Sequence, residues 1–217
     1  MEKKTFIKGI ILFAAFISWT LLVQVIDVKP TGIYGTTIGF ATLNLWFHQW
    51  SGVHMSLYTI TDWLSLIPLF VCLGFAIFGA IQLIKRRSIL KVDIDIILLG
   101  AYYILVMACF IGFEMMPINY RPILIDGILE ASYPSSTTLL VLSVMPTLAF
   151  HAKNRIQNET FKRFVVILAY LFTAFVVFAR LFSGVHWLTD IIGGALLSAG
   201  LFNLYVGCVA LFNKNTN

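Results

Sequence analysis

Charge is scarce in this sequence. Only 12% of its 217 residues are Asp, Glu, Lys or Arg, whereas 59% are hydrophobic and the mean hydropathy is +0.91. A chain so poor in charge does not read as a soluble domain, and the composition points to an integral membrane protein. Frameworks built on cysteine are lacking too. Cys72, Cys109 and Cys208 sit in apolar runs at no ligand-like spacing, and read as small hydrophobes without a disulfide. There is no Walker loop, dinucleotide fingerprint or zinc-binding helix motif, and no long repeat or low-complexity segment. No cofactor is expected, and no metal, because scattered carboxylates around one histidine make no convincing ligand set. The net charge of +5 follows the loops between apolar runs, so it implies no affinity for nucleic acid.

What the sequence does have is apolar runs, at residues 7–26, 63–84, 94–113, 136–150, 164–181 and 187–212. Most approach the roughly 20 residues of a spanning helix, and the fourth is the short one. The expected fold is all-α, an integral membrane bundle of about six transmembrane helices in one domain, 1–217. Basic residues before the first run suggest a signal peptide, but the run is long and no Ala-x-Ala site precedes Asp27, so it reads as a retained span. Lys3, Lys4, Lys8, Lys85, Arg86, Arg87, Lys91, Lys153, Arg155, Lys162, Arg163 and Lys214 then share one side, which the positive-inside rule makes cytoplasmic. Both termini are expected there. Lys29, Arg121 and Arg180 are left for the opposite face.

Residues 27–62 form an external segment whose middle, 37–50, is apolar and aromatic. An interfacial or re-entrant helix is expected there, with Trp46 and Trp50 at headgroup depth and His48 and His54 as interface residues. Asp62 is expected to cap the second span. His151 falls on the cytoplasmic side and reads as structural. Asn158-Glu159-Thr160 matches a glycosylation acceptor on the wrong side of the membrane and is discounted. Gly193, Gly194, Ala195, Ser198, Ala199 and Gly200 offer a surface on which helices can approach closely.

Polar chemistry concentrates in three places. The stretch from Arg180 to Asp190 sets an arginine, a histidine and a carboxylate among apolar residues, which is costly unless they serve one another or a ligand. If a helix starts just after Gly184, His186 and Asp190 lie at i and i+4, and the carboxylate can accept one ring N–H. The other nitrogen would then be free as base or nucleophile. Pro134, Ser135, Ser136, Thr137 and Thr138 read as a helix start, with Ser135 or Ser136 as N-cap, and as either simple capping or an anion site. Arg121-Pro122 lies in the polar stretch before it. All three fall on the extracytoplasmic face of the expected topology. Together they suggest a phosphate cradle, where the plainer reading is a lock between helix ends.

These residues resemble the type 2 phosphatidic acid phosphatases, membrane relatives of the vanadium haloperoxidases, whose pattern is Lys-x6-Arg-Pro, Pro-Ser-Gly-His and Ser-Arg-x5-His-x3-Asp. Here Arg121-Pro122 matches the first motif, Pro134-Ser135 the second, and Arg180, His186 and Asp190 the third at the family's spacing. The similarity covers about residues 63–212. It implies a membrane lipid phosphate or diphosphate phosphatase acting through a phosphohistidine, in a bacterial cytoplasmic membrane with its site outside. His186 would attack, Asp190 would orient it, and Arg121, Arg180 and Ser135, with Ser136 and Thr137 beside it, would surround the phosphate. The substrate implied is a phospholipid or a prenyl diphosphate such as undecaprenyl diphosphate. Departures are Glu114 at the family's lysine, Ser136 at its glycine, Ala179 at its serine, and Thr137 at the histidine that protonates the leaving group. They leave open an inactive relative that binds or carries lipid phosphates.

Overall fold

The computed structural model describes residues 2–215, although side chains beyond Phe212, Lys214 among them, lie outside what is described. The helices are α1 (Glu2–Val25), α2 (Ala41–Ser51), α3 (Met55–Leu64), α4 (Leu66–Arg86), α5 (Ile94–Met115), α6 (Ser136–Arg155), α7 (Glu159–Phe182) and α8 (Leu188–Asn215). Among the described residues, five stretches are long and apolar enough to cross a bilayer: Lys3–Val25, Met55–Arg86, Ile94–Met115, Glu159–Phe182 and Leu188–Phe212. The short α2 is not among them, and neither is α6, which is long but occupies the middle of the bundle against α4, α5, α7 and α8. A helix wrapped by other helices needs no lipid-compatible surface, so α6 can carry Thr137, Thr138, Ser143 and Thr147 in buried positions.

α1 runs along α8. The small-residue surface expected on α8 makes this possible, since a Cβ at Gly200 would lie 3.0 Å from the backbone nitrogen of Phe13. Where an interfacial or re-entrant helix is expected, in 37–50, the chain forms α2, which exposes Trp46 and Trp50. Asp62 does not cap the second span. It sits inside α3, because the chain turns helical at Met55 and continues through Ser65 into α4 with only a slight break.

Alternation of the helices gathers two clusters at opposite ends. At one, Arg155 donates to Asp93 at 2.8 Å and to Asp95 at 2.7 and 2.6 Å, and Arg86 donates to Asp93 at 2.7 Å. His151 lies behind them, 2.7 Å from the Tyr205 hydroxyl. At the other end the chain turns between α5 and α6 and between α7 and α8, and the three polar stretches meet. Asn158 acts locally, its side chain accepting the Phe161 N–H at 2.9 Å to cap α7.

Candidate active site

The loop from α5 to α6 folds back on itself. Backbone bridges join Tyr120 to Ala131 and Ile125 to Ile128, and the turn between them is Asp126-Gly127, both with positive φ (49° and 79°). Asp-Gly is a favoured pair for such a turn, so the dipeptide is the signal in the sequence from which the fold-back could have been expected. The fold-back sets Asn119 beside Ser132, whose N–H donates to the Asn119 carbonyl at 2.9 Å. It also brings Arg121 inward, where the guanidinium meets Glu130 at 3.0 Å.

The turn between α7 and α8 is pinned from several sides. Gly184 has φ +71°, and a Cβ there would lie 2.2 Å from the Gly52 carbonyl oxygen. His48 donates to the Gly184 carbonyl at 3.1 Å, the His54 N–H donates to the Ser183 carbonyl at 2.9 Å, and the Trp187 indole donates to the Tyr120 carbonyl at 2.8 Å. The two histidines thus serve as props, and the His54 ring stays exposed, 2.9 Å from the Ser51 carbonyl.

His186 is buried in this turn, with 3% of its surface exposed. The expected helical i, i+4 pair with Asp190 does not form. α8 begins at Leu188, so His186 precedes the helix, and its Nδ1 stands 3.9 Å from Asp190 Oδ2. Asp190 is turned back on the helix start instead, where Oδ2 accepts the Trp187 N–H at 2.9 Å and Oδ1 accepts from Asn119 at 3.3 Å. Ser132 fills the gap. Its hydroxyl donates to Asp190 Oδ2, while its Oγ and its carbonyl oxygen each lie 3.1 Å from His186 Nδ1. A carbonyl can only accept, so Nδ1 carries the proton and Nε2 is left with a lone pair. Burial first, then the charges of Arg180 and Arg121, push His186 well below the usual histidine range, which favours the neutral ring.

Arg180 and Arg121 lie close enough for their charges to act on His186. Arg180 is 1% exposed and donates to the Thr61 hydroxyl at 3.2 Å, and both guanidiniums pack over the ring of Tyr58. Nothing in the sequence pattern singles out Tyr58 and Thr61, both on α3. Arg121 Nε and Nη1, Arg180 Nε and His186 Nε2 are all buried without a hydrogen-bond partner among the described residues. Orphan buried donors of this kind are rare and costly, and three cationic ones whose charges act on an unprotonated imidazole nitrogen fit an anion.

The start of α6 is divided. Ser135 is fully buried, its N–H donates to the Asp190 carbonyl at 3.1 Å, and its Oγ accepts from Thr138 at 3.0 Å. It is the N-cap residue, although its side chain makes no capping bond. Thr137 is buried behind it. Ser136 turns to the Glu114 carboxylate, which is exposed at the end of α5. Two apolar cavities of about 550 and 330 Å³ lie along α4, α5 and α6, away from this chemistry.

A helical membrane bundle with two buried arginines whose charges act on a buried neutral imidazole defines a class. Residues 115–214, which hold every site residue expected from the sequence, match the PAP2 superfamily, and the resemblance read from the three motifs is borne out. The fold is similar to that of a transmembrane PAP2 type phosphatidylglycerolphosphate phosphatase from Bacillus subtilis. The TM-score is 0.62, with 97% of this chain and 98% of that one covered at 19% identity. No curated protein matches by sequence.

Proposed function

We propose that the chain is a membrane lipid phosphate or diphosphate phosphatase that works through a phosphohistidine at the extracytoplasmic face. One observation carries this reading: His186 Nε2 and nitrogens of Arg121 and Arg180, whose charges act on that ring, are all buried without a partner among the described residues. In the first step the Nε2 lone pair forms a bond to phosphorus, and the bond to the leaving oxygen breaks with its electron pair. Water then adds to phosphorus, the N–P bond breaks, orthophosphate leaves and the neutral imidazole returns. The arginines hold the phosphoryl oxygens, and Asp190 secures the turn that presents His186.

Ser135, Ser136 and Thr137 enter this reading as the phosphate's other wall, through the helix start they form. The basic groups gathered at the far end of the bundle support cytoplasmic termini in a bacterial cytoplasmic membrane, and hence an external site. We take the whole chain, 1–217, as one membrane unit, because α1 packs along α8.

Phosphate release should be measured from purified protein with phosphatidate, phosphatidylglycerol phosphate and undecaprenyl diphosphate, beside His186→Ala. Release from at least one substrate, abolished in the variant, is expected. No release above the variant from any of them would leave the second reading, a binder or carrier of lipid phosphates, which Thr137 and Glu114 favour.

A further inference from the structure

Asp190 would support His186 in such a mechanism, yet its nearer oxygen is 3.9 Å from the ring nitrogen. Direct hydrogen bonding ends well short of that distance. Ser132 stands between them, 2% exposed, with its hydroxyl donating to Asp190 Oδ2 and its Oγ 3.1 Å from His186 Nδ1. The proton order is fixed. Asp190 accepts from Ser132, so a lone pair of Ser132 Oγ faces the Nδ1–H, which the Ser132 carbonyl shares at 3.1 Å. We infer that Ser132 is a positioning residue through which Asp190 acts on His186, so that the working unit is Asp190, Ser132 and His186 in series.

The fold-back of the α5–α6 loop makes this possible. Asn119 holds the Ser132 N–H through its carbonyl and donates its side-chain amide to Asp190 Oδ1 at 3.3 Å, so both strands of the loop converge on one carboxylate. When His186 takes up phosphorus the ring becomes cationic, and the acceptors at Nδ1 are then worth most. The Ser132 carbonyl fixes which nitrogen is protonated. The Ser132 hydroxyl adds the link to negative charge. No step in this chain requires transfer of a proton to Asp190.

The inference rests on the phosphatase reading for its kinetic consequence but not for its geometry, and the test uses both. Ser132→Ala should lower kcat about ten- to a hundredfold, the cost of losing one buried hydrogen-bond link, with KM nearly unchanged because the arginines are untouched. Ser132→Thr, which keeps the hydroxyl, should recover most of the loss. In a double-mutant cycle with Asp190→Asn, the double variant should be no slower than Asp190→Asn alone. The same cycle is read without turnover from the ¹⁵N resonances of His186 in histidine-labelled full-length protein. Asp190→Asn should shift them when Ser132 is present and hardly at all in the Ser132→Ala background. Losses that multiply, or resonances that respond equally in both backgrounds, would overturn the inference. Wild-type protein inactive on every substrate would sink the phosphatase reading instead, while the resonances still decide the role of Ser132.

Discussion

Arg121 and Arg180 share one aromatic ring: their guanidinium carbons stand 4.7 Å (Arg180) and 5.7 Å (Arg121) from the centre of Tyr58. Two like charges this close to a common point repel unless something negative separates them or a π face screens them. Tyr58 supplies the π face at all times, and a bound phosphate would supply the negative charge.

Tyr58→Ala should therefore let the two guanidiniums drift apart. A contact of this kind is worth about 0.5–2 kcal/mol, so kcat/KM should fall at least roughly two- to thirtyfold, mostly through KM. Tyr58→Phe keeps the ring and should stay near wild type. Steady-state kinetics on the best lipid substrate check both.

Arg180→Ala removes a buried cation that has no carboxylate partner of its own, and the loss should be larger. Removing one preorganised donor typically costs about 10²- to 10³-fold in rate. Arg180→Lys should recover little, because an ammonium cannot present the planar edge that carries the unpartnered Nε. The comparison of kcat/KM for the two variants tests whether the fork, and not the charge alone, is what the site uses.

Much of this site is legible in the sequence. The spacing of Arg180, His186 and Asp190 carries the family resemblance, and the level at which Arg121 and Ser135 arrive follows from apolar run lengths and charge bias. What escapes is whatever depends on where a helix starts by two residues or how a loop pairs. The start of α8 at Leu188 breaks the i, i+4 geometry, and Ser132 and Asn119 become visible only through the Asp126-Gly127 turn. Tyr58 and Thr61 escape because α3 begins eight residues before the apolar run that reads as the second span. The weak hydropathy of α6 has the opposite lesson: burial among helices relieves a segment of the need to look like a span.

Gly184→Ala should damage both fold and activity. The position has φ +71°, which costs an L-residue roughly 1–2 kcal/mol, and the new Cβ would fall 2.2 Å from the Gly52 carbonyl oxygen. Since His186 lies two residues on, any relief of that clash moves the imidazole against the arginines. A lower melting temperature in detergent together with a loss of kcat beyond tenfold, roughly the scale of a small catalytic misplacement, is the expected result.

The ion cluster at the far end should control stability and leave the chemistry alone. Burial alone would raise Asp93, but hydrogen bonds from Arg155, Arg86 and Gln82 outweigh it and hold the carboxyl down to about 2. Its ordinary value is 3.8, so the unfolded chain binds a proton first as pH falls. The stabilisation is present above about 4 and is lost between there and about 2. Arg155→Met should lower the melting temperature at neutral pH by the equivalent of about 1–3 kcal/mol, since Asp93 and Asp95 lose a shared partner that is only partly exposed. It should also flatten the acid side of the stability curve. At permissive temperature kcat/KM should match wild type.

The leaving group gives the most direct reading of substrate. Thr137 stands where the resemblance expects a proton-donating histidine, and it is 5% exposed. A threonine hydroxyl is far too weak an acid to protonate a departing alkoxide in step with bond breaking. Loss of a general acid costs about 10²- to 10⁴-fold when the leaving group is poor, and little when it is itself a phosphate. The ratio of kcat/KM for undecaprenyl diphosphate to that for phosphatidate should therefore be large. A phosphate monoester with an acidic phenol as leaving group should recover most of the deficit, because its oxygen departs without a proton. Equal rates on phosphatidate and on the phenol ester would mean that another residue protonates the leaving oxygen, and that the threonine at 137 does not bias the proposed phosphatase toward diphosphates.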